Sequence, residues 1–107
     1  MSTESDRELL ELAAKAAGIE VVRAEIKGLW IAGGMGRHWN PLTDDGDALR
    51  LAVKLNMGIS IPVWKDNRVD VITFKLSSVN VIERGQDAMA NVRRAIVRAA
   101  AAIGKSM

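Results

Sequence analysis

Hydrophobic residues recur along this chain with two different periods, and the places where the period changes mark out its elements. In the N-terminal stretch SDRELLELAAKAAG, Leu9, Leu12, Ala13 and Ala16 return at intervals of three and four, the spacing of one face of an α-helix. Ser5, followed three residues later by Glu8, has the form of a capping box. Gly18 can take the left-handed conformation that closes a helix. The pattern predicts a helix from about Asp6 to Ala17. The next stretch, IEVVRAEIKGLWIAGG, draws its β propensity from Val21, Val22, Ile26, Leu29, Trp30 and Ile31, with Lys27-Gly28 as the break. It predicts a short hairpin, about Glu20 to Ile26 and Leu29 to Ala32. GGMGRHWNP follows, with three glycines and an Asn40-Pro41 step that disfavours helix at Asn40, and is expected to be a loop.

The helical period returns from about Asp44 to Asn56. Asp47, Arg50 and Lys54, at i, i+3 and i+7, form one narrow polar stripe, and every other position from Ala48 to Leu55 is apolar. Such a helix is expected to be largely buried, with Asn56 or Gly58 ending it. In ISIPVWKDNRVDVITFKL two β-rich runs flank KDNR, whose Asp66-Asn67 pair suits a tight turn. Pro62 cannot donate to a ladder, which places its strand at a sheet edge or Pro62 itself at a bulge. SSVNVIERG either continues the second strand or makes a loose connection. In the final stretch, QDAMANVRRAIVRAAAAIG, Ala88, Met89, Val92, Ala95, Ile96, Ala99 and Ile103 form an apolar helical face. Asp87, Asn91, Arg94 and Arg98 form the opposite stripe, with Arg93 beside it, and Gly104 is expected to stop the helix. The predicted order is α-β-β-α-β-β-α. Two hairpins give a mainly antiparallel four-stranded sheet in an α/β (α+β) fold. Three helices covering both sheet faces make a three-layer sandwich, with helices crowded on one face as the alternative.

Length and composition narrow this further. A chain of 107 residues is expected to form one domain, 1–107, large enough for a core of its own. It has no cysteine, which excludes disulfides and thiolate sites and fits a reducing cytoplasm. No apolar run reaches the roughly 18 to 20 residues of a membrane span. The polar, acidic start MSTESDRELLEL is unlike a signal peptide. A net charge of +2 does not by itself point to nucleic acid. Its distribution is uneven: four acids and two bases in the first 18 residues, one acid and four bases from Gly85 onward.

Two motifs, WNPLTDDGDALRLAVKL and RRAIVRAAAAIG, together with GLW ahead of the glycine-rich stretch, resemble the phage ABA sandwich domain group of small phage and prophage proteins. The motifs span about a quarter of the chain, and the order of segments is similar over nearly all of it. The resemblance implies a helix-sheet-helix sandwich and a bacteriophage or prophage gene. The group carries no established activity, so no catalytic residue is implied. The segment from Ile59 to Gly85 contributes no motif to the resemblance.

The candidate chemistry is limited. Asp44 and Asp47 are spaced as a cap and a capping-box partner for the second helix, and Asp45 adds charge favourable to the helix N-terminus. A calcium loop beginning at Asp44 would need a glutamate where Leu55 stands, so the aspartates are expected to be structural caps and no metal is expected. GGMGRHW lacks both the Walker and the dinucleotide patterns, so Gly33, Gly34 and Gly36 read as a flexible turn. Arg37 and His38 are candidate anion contacts beside the helix start. His38, the sole histidine, has no nucleophile motif around Ser60, Ser77 or Ser78 to make it a catalytic base. No enzyme and no cofactor are therefore expected. Trp30, Trp39 and Trp64 are expected in the core, with an interface anchor as the alternative. Arg93, Arg94, Arg98 and Lys105 line one side and the end of the last helix. They form a solvated face, a protein contact or a set of phosphate contacts. The reading that results is a non-enzymatic cytoplasmic phage accessory protein that binds a host or phage protein, in concrete form an inhibitor of a bacterial defence system. The alternative is a nucleic-acid-binding factor using the basic helix.

Overall fold

Ser5 opens the first helix as its spacing predicts. Its hydroxyl accepts the Glu8 N–H and donates to the Glu8 carboxylate, both at 3.2 Å, and α1 runs Asp6–Ala17. Gly18, at φ +69°, ends it, and the Ile19 N–H returns to the Ala14 carbonyl at 2.9 Å, a Schellman-type closure. The computed structural model describes residues 5–25, 28–32, 37–61, 68–73, 79–83 and 87–107, with the backbone alone at 79 and 80. The remaining elements are β1 (Val21–Glu25), β2 (Gly28–Ile31), β3 (Arg37–Trp39), α2 (Asp45–Lys54), β4 (Met57–Ser60), β5 (Val69–Thr73), β6 (Val79–Glu83) and α3 (Ala88–Ser106).

The fold is α+β, as the pattern predicts, but the single four-stranded sheet is corrected. The strands form two three-stranded antiparallel sheets, β1-β2-β3 and β4-β5-β6. The two additional strands lie in segments whose side chains hide the pairing. Arg37–Trp39 was expected to be loop because glycines precede it and Asn40-Pro41 follows. Its backbone nevertheless pairs with β2, Leu29 opposite Trp39 and Ile31 opposite Arg37. Val79–Glu83 pairs with β5, Val71 opposite Val81, so SSVNVIERG contains a strand of its own. The strand that leads toward Pro62 is an edge among the described residues, since β4 pairs there only with β5. Pro62, Trp64, the Asp66-Asn67 turn, Gly33, Gly34, Gly36, Ser77 and Ser78 lie outside the described residues.

Helices on both faces of a sheet are likewise corrected. Along β5, Val69, Val71 and Thr73 are buried while Asp70 and Ile72 are half-buried. In β2, Leu29 and Ile31 are buried while Trp30 is half-buried. Each sheet therefore turns one face inward and one toward solvent, the period-two signature of a sheet covered on one side. α1 packs on β1 and β2, and α3 packs on α1, α2, β5 and β6. One core joins them, including Leu10, Leu29, Trp39, Leu55, Val71, Ile96 and Ile103.

The second and third helices carry two more corrections. α2 ends at Lys54, with Leu55 as its cap and Asn56 at φ +54° turning the chain away. It is not largely buried: Leu49 and Val53 are 61% and 68% exposed, while Asp47, on the supposed polar stripe, is 4% exposed. Gly104 does not stop the last helix, which continues to Ser106. It is buried, and a Cβ placed there would lie 2.0 Å from the Leu12 carbonyl oxygen. Glycine is required at that point because α1 and α3 approach backbone to backbone.

Candidate binding surface

The motif PLTDDGD forms the junction between β3 and α2, closed by its own polar groups. Asn40 Oδ1 accepts the Leu42 N–H at 3.0 Å, and the Asn40 carbonyl accepts the Asp44 N–H at 2.9 Å. Pro41 is buried within this turn. Asp44 is the N-cap, accepting from Gly46 N–H at 2.8 Å and Asp47 N–H at 3.2 Å. Asp47 does not reach back to the Asp44 amide as a capping box would. Its Oδ2 accepts the Asn40 N–H at 3.0 Å and its Oδ1 accepts from Arg50 at 2.7 Å and Arg37 at 3.3 Å. A buried carboxylate with three donors is a satisfied one. Asp45, also in the first turn, meets Arg93 at 2.6 Å. Among the described residues no three His, Cys, Asp or Glu side chains gather as metal ligands would.

Arg37 and His38, paired as anion contacts on the sequence, are separated by the alternation of β3. Arg37 lies on the same strand face as Trp39 and reaches Asp47. His38 lies on the other face, its ring 5.3 Å from Trp30 in an edge-to-face contact. Gly28, at φ +138°, lies directly beneath the imidazole, and a Cβ there would come within 2.8 Å of it. Trp30 Nε1–H donates to Glu25 at 2.7 Å. The Arg23 guanidinium, foremost, and this indole N–H hold the Glu25 carboxyl below the usual range. Trp39 is buried in the core as expected, whereas Trp30 is half-buried on the outer sheet face. His38 therefore faces an aromatic ring, while Asp44 and Asp45 are engaged elsewhere.

The basic stripe of α3 is engaged within the molecule. Arg93 donates to the Leu42 carbonyl at 2.8 Å as well as to Asp45. Arg94 pairs with Asp6 of α1 at 3.1 Å, and Arg98 pairs with Glu83 of β6. Each arginine ties α3 to a different neighbour: the start of α2, the start of α1 and the end of β6. Neither face of α3 is uniform: Asn91, on the same stripe as Arg94 and Arg98, is buried, and Met89, assigned to the apolar face, is 52% exposed.

Reading residues by type leaves Arg50 and Lys54 as part of a solvent stripe. The fold places them with Arg37 around a recess of about 180 Å³ whose floor is Ala17, Ile19, Ile31, Trp39 and Leu51. Arg37 and Arg50 are exposed above Asp47, each giving it one hydrogen bond. Lys54 has no ion pair among the described residues. The neighbouring stripe of α2 is the exposed pair Leu49 and Val53, four residues apart and so on one side of the helix. The signal in the sequence was the adjacency of two i, i+4 pairs, Leu49/Val53 and Arg50/Lys54. It was concealed because the apolar pair was expected inside. Comparison with protein families, with curated proteins and with solved structures finds no match.

Proposed function

We propose that this chain is a small, non-enzymatic phage or prophage accessory protein that acts in the bacterial host's cytoplasm by binding another protein. Inhibition of a host defence system is its concrete form. The observation that carries this reading is the outer side of α2. Two large aliphatic residues, Leu49 and Val53, are more than half exposed there, next to the cations Arg50 and Lys54. Paired apolar side chains held outward on a rigid helix, rimmed by charge, suit a protein contact. The phage origin rests on the resemblance of WNPLTDDGDALRLAVKL and RRAIVRAAAAIG to the phage ABA sandwich group. The first of these motifs forms the junction that positions α2. Among the described residues no helix is long and apolar enough to cross a membrane.

The internal ion pairs weigh against the nucleic-acid alternative. Arg93, Arg94 and Arg98 each have an acidic partner, so phosphates would have to displace a carboxylate at every contact. The test is affinity capture from phage-infected cells with the natural chain and with Leu49→Glu/Val53→Glu. A host or phage protein retained by the first and lost by the second is the expected result, with unchanged melting of the variant as the control. Equal retention by both would reject α2 as the contact surface.

A further inference from the structure

We propose that the recess between α1, β3 and α2 receives one apolar side chain from an acidic segment of the partner protein. The proposal rests on the protein-binding reading above and adds the chemistry of the segment that is recognised. Three observations lead to it. The floor is apolar, formed by Ile19, Ile31, Trp39 and Leu51. The rim is cationic: Arg37 and Arg50 share the single buried carboxylate of Asp47, and Lys54 has no acidic partner among the described residues. The volume, about 180 Å³, is close to the roughly 150 Å³ that accommodates a benzene ring. It falls short of the roughly 300 to 1,000 Å³ of sites for drug-sized molecules and cofactors. The recess therefore fits a leucine- or phenylalanine-sized side chain and not a whole metabolite.

The charges select what flanks that side chain. A guanidinium has five N–H donors, and Arg37 and Arg50 each give Asp47 one. Their remaining donors are available to carboxylates of the incoming segment. Arg50 and Lys54 are four residues apart on α2, which sets their heads along one line beside the recess. Asp44, close to Arg50 across Gly46, is occupied by the helix cap and leaves the Lys54 end more positive. An acidic chain crossing from Arg37 toward Lys54 would place carboxylates at the rim and one apolar side chain over the floor.

The probe is a dye-labelled peptide with one phenylalanine flanked on each side by two glutamates, followed by fluorescence anisotropy. Saturable binding is expected. It should weaken about tenfold in Lys54→Glu, where an attraction becomes a repulsion. It should weaken again between low salt and about 150 mM, where charges screen over about 8 Å. Ile19→Trp, which fills the recess, should abolish binding. Replacing the phenylalanine by alanine should weaken it, and replacing the glutamates by lysines should remove it. Melting curves establish that each variant is folded. Binding that survives Lys54→Glu, the alanine peptide or the lysine peptide overturns the proposal. So does a labelled oligonucleotide that binds more tightly than the peptide and competes with it in a manner dependent on Lys54. In the capture experiment, loss of the partner with Leu49→Glu/Val53→Glu but full retention with Lys54→Glu would reject the recess while leaving the α2 reading intact.

Discussion

α2 is more exposed than its pattern predicts, and the basic stripe of α3 is more engaged. The α2 segment, expected to be largely buried, lies at the margin with Leu49 and Val53 in solvent. α3 has an arginine-bearing stripe, yet it touches α1, α2, β5 and β6 and is buried at Ala95, Ile96, Val97, Ala99, Ala100, Ala101, Ile103 and Gly104. Length and side-chain size account for the difference. At about 1.5 Å rise per residue, the 19 residues of α3 extend nearly twice as far as the 10 of α2. Elements from both ends of the chain can therefore pack along it. α3 packs on α1, its Ala95, Ala99, Ala100, Ala101 and Gly104 and the Ala13, Ala14 and Ala17 of α1 are buried, and small residues on both helices let them come close. Arginines at the edges of such a contact swing to acids on neighbouring elements instead of forming a free basic face. Hydropathy ranks side chains, while burial also depends on how many elements can reach them.

The largest effect expected from this comparison is in the core of α3. Ile103→Ala, at a fully buried position, should cost about 2 to 5 kcal/mol. Leu49→Ala on α2 should stay within about 0.5 kcal/mol of the natural chain. Urea unfolding of both variants checks this, and similar costs would mean that α2 is as enclosed as its sequence suggests.

Glycine gives the next contrast. Alanine in a helix interior is ordinarily more favourable than glycine by roughly 0.5 to 1 kcal/mol. Gly104→Ala should reverse that sign and cost about 1 to 3 kcal/mol, because the added methyl meets the Leu12 backbone, which cannot rotate away. Gly46→Ala in the first turn of α2 meets the mobile end of Arg50 and the Asp44 carboxylate at 3.2 Å. It should change stability by less than about 1 kcal/mol in either direction. Thermal melts of the pair decide it, and a stabilising Gly104→Ala would show that α1 and α3 are further apart than described.

The smallest effect concerns the arginines. The Arg94–Asp6 pair is exposed on both sides, so Arg94→Ala should cost less than about 1 kcal/mol. A double-mutant cycle with Asp6→Ala isolates the pair. A coupling well above that value would make the clamp between α1 and α3 a principal stabilising contact.

Much of this architecture could be read from local pattern. The Ser5 and Gly18 boundaries of α1, the Asp44 cap and the first hairpin each depend on residues within a few positions of one another, where spacing and capping chemistry decide the outcome. β3 was not legible, because Arg37, His38 and Trp39 pair through backbone groups that every sequence possesses. β6 was ambiguous for the same reason. The separation of Arg37 from His38 follows from β3 being a strand, so it was lost along with it.

The sequence by itself determined where the first two helices begin, the α+β class, the absence of cysteine chemistry and the structural use of Asp44. Tertiary structure alone decided that the strands divide into two sheets and that each sheet is covered on one face. It also decided that Asp47 is buried beneath Arg37 and Arg50, that Leu49 and Val53 face outward, and that Arg37, Arg50 and Lys54 border one recess. Those outcomes depend on residues far apart in the chain, as Arg37 and Asp47 are by 10 positions and Asp6 and Arg94 by 88. Their contact is set by how the helices and sheets pack, and hydrophobic periodicity within one segment carries no information about which other segment will cover it.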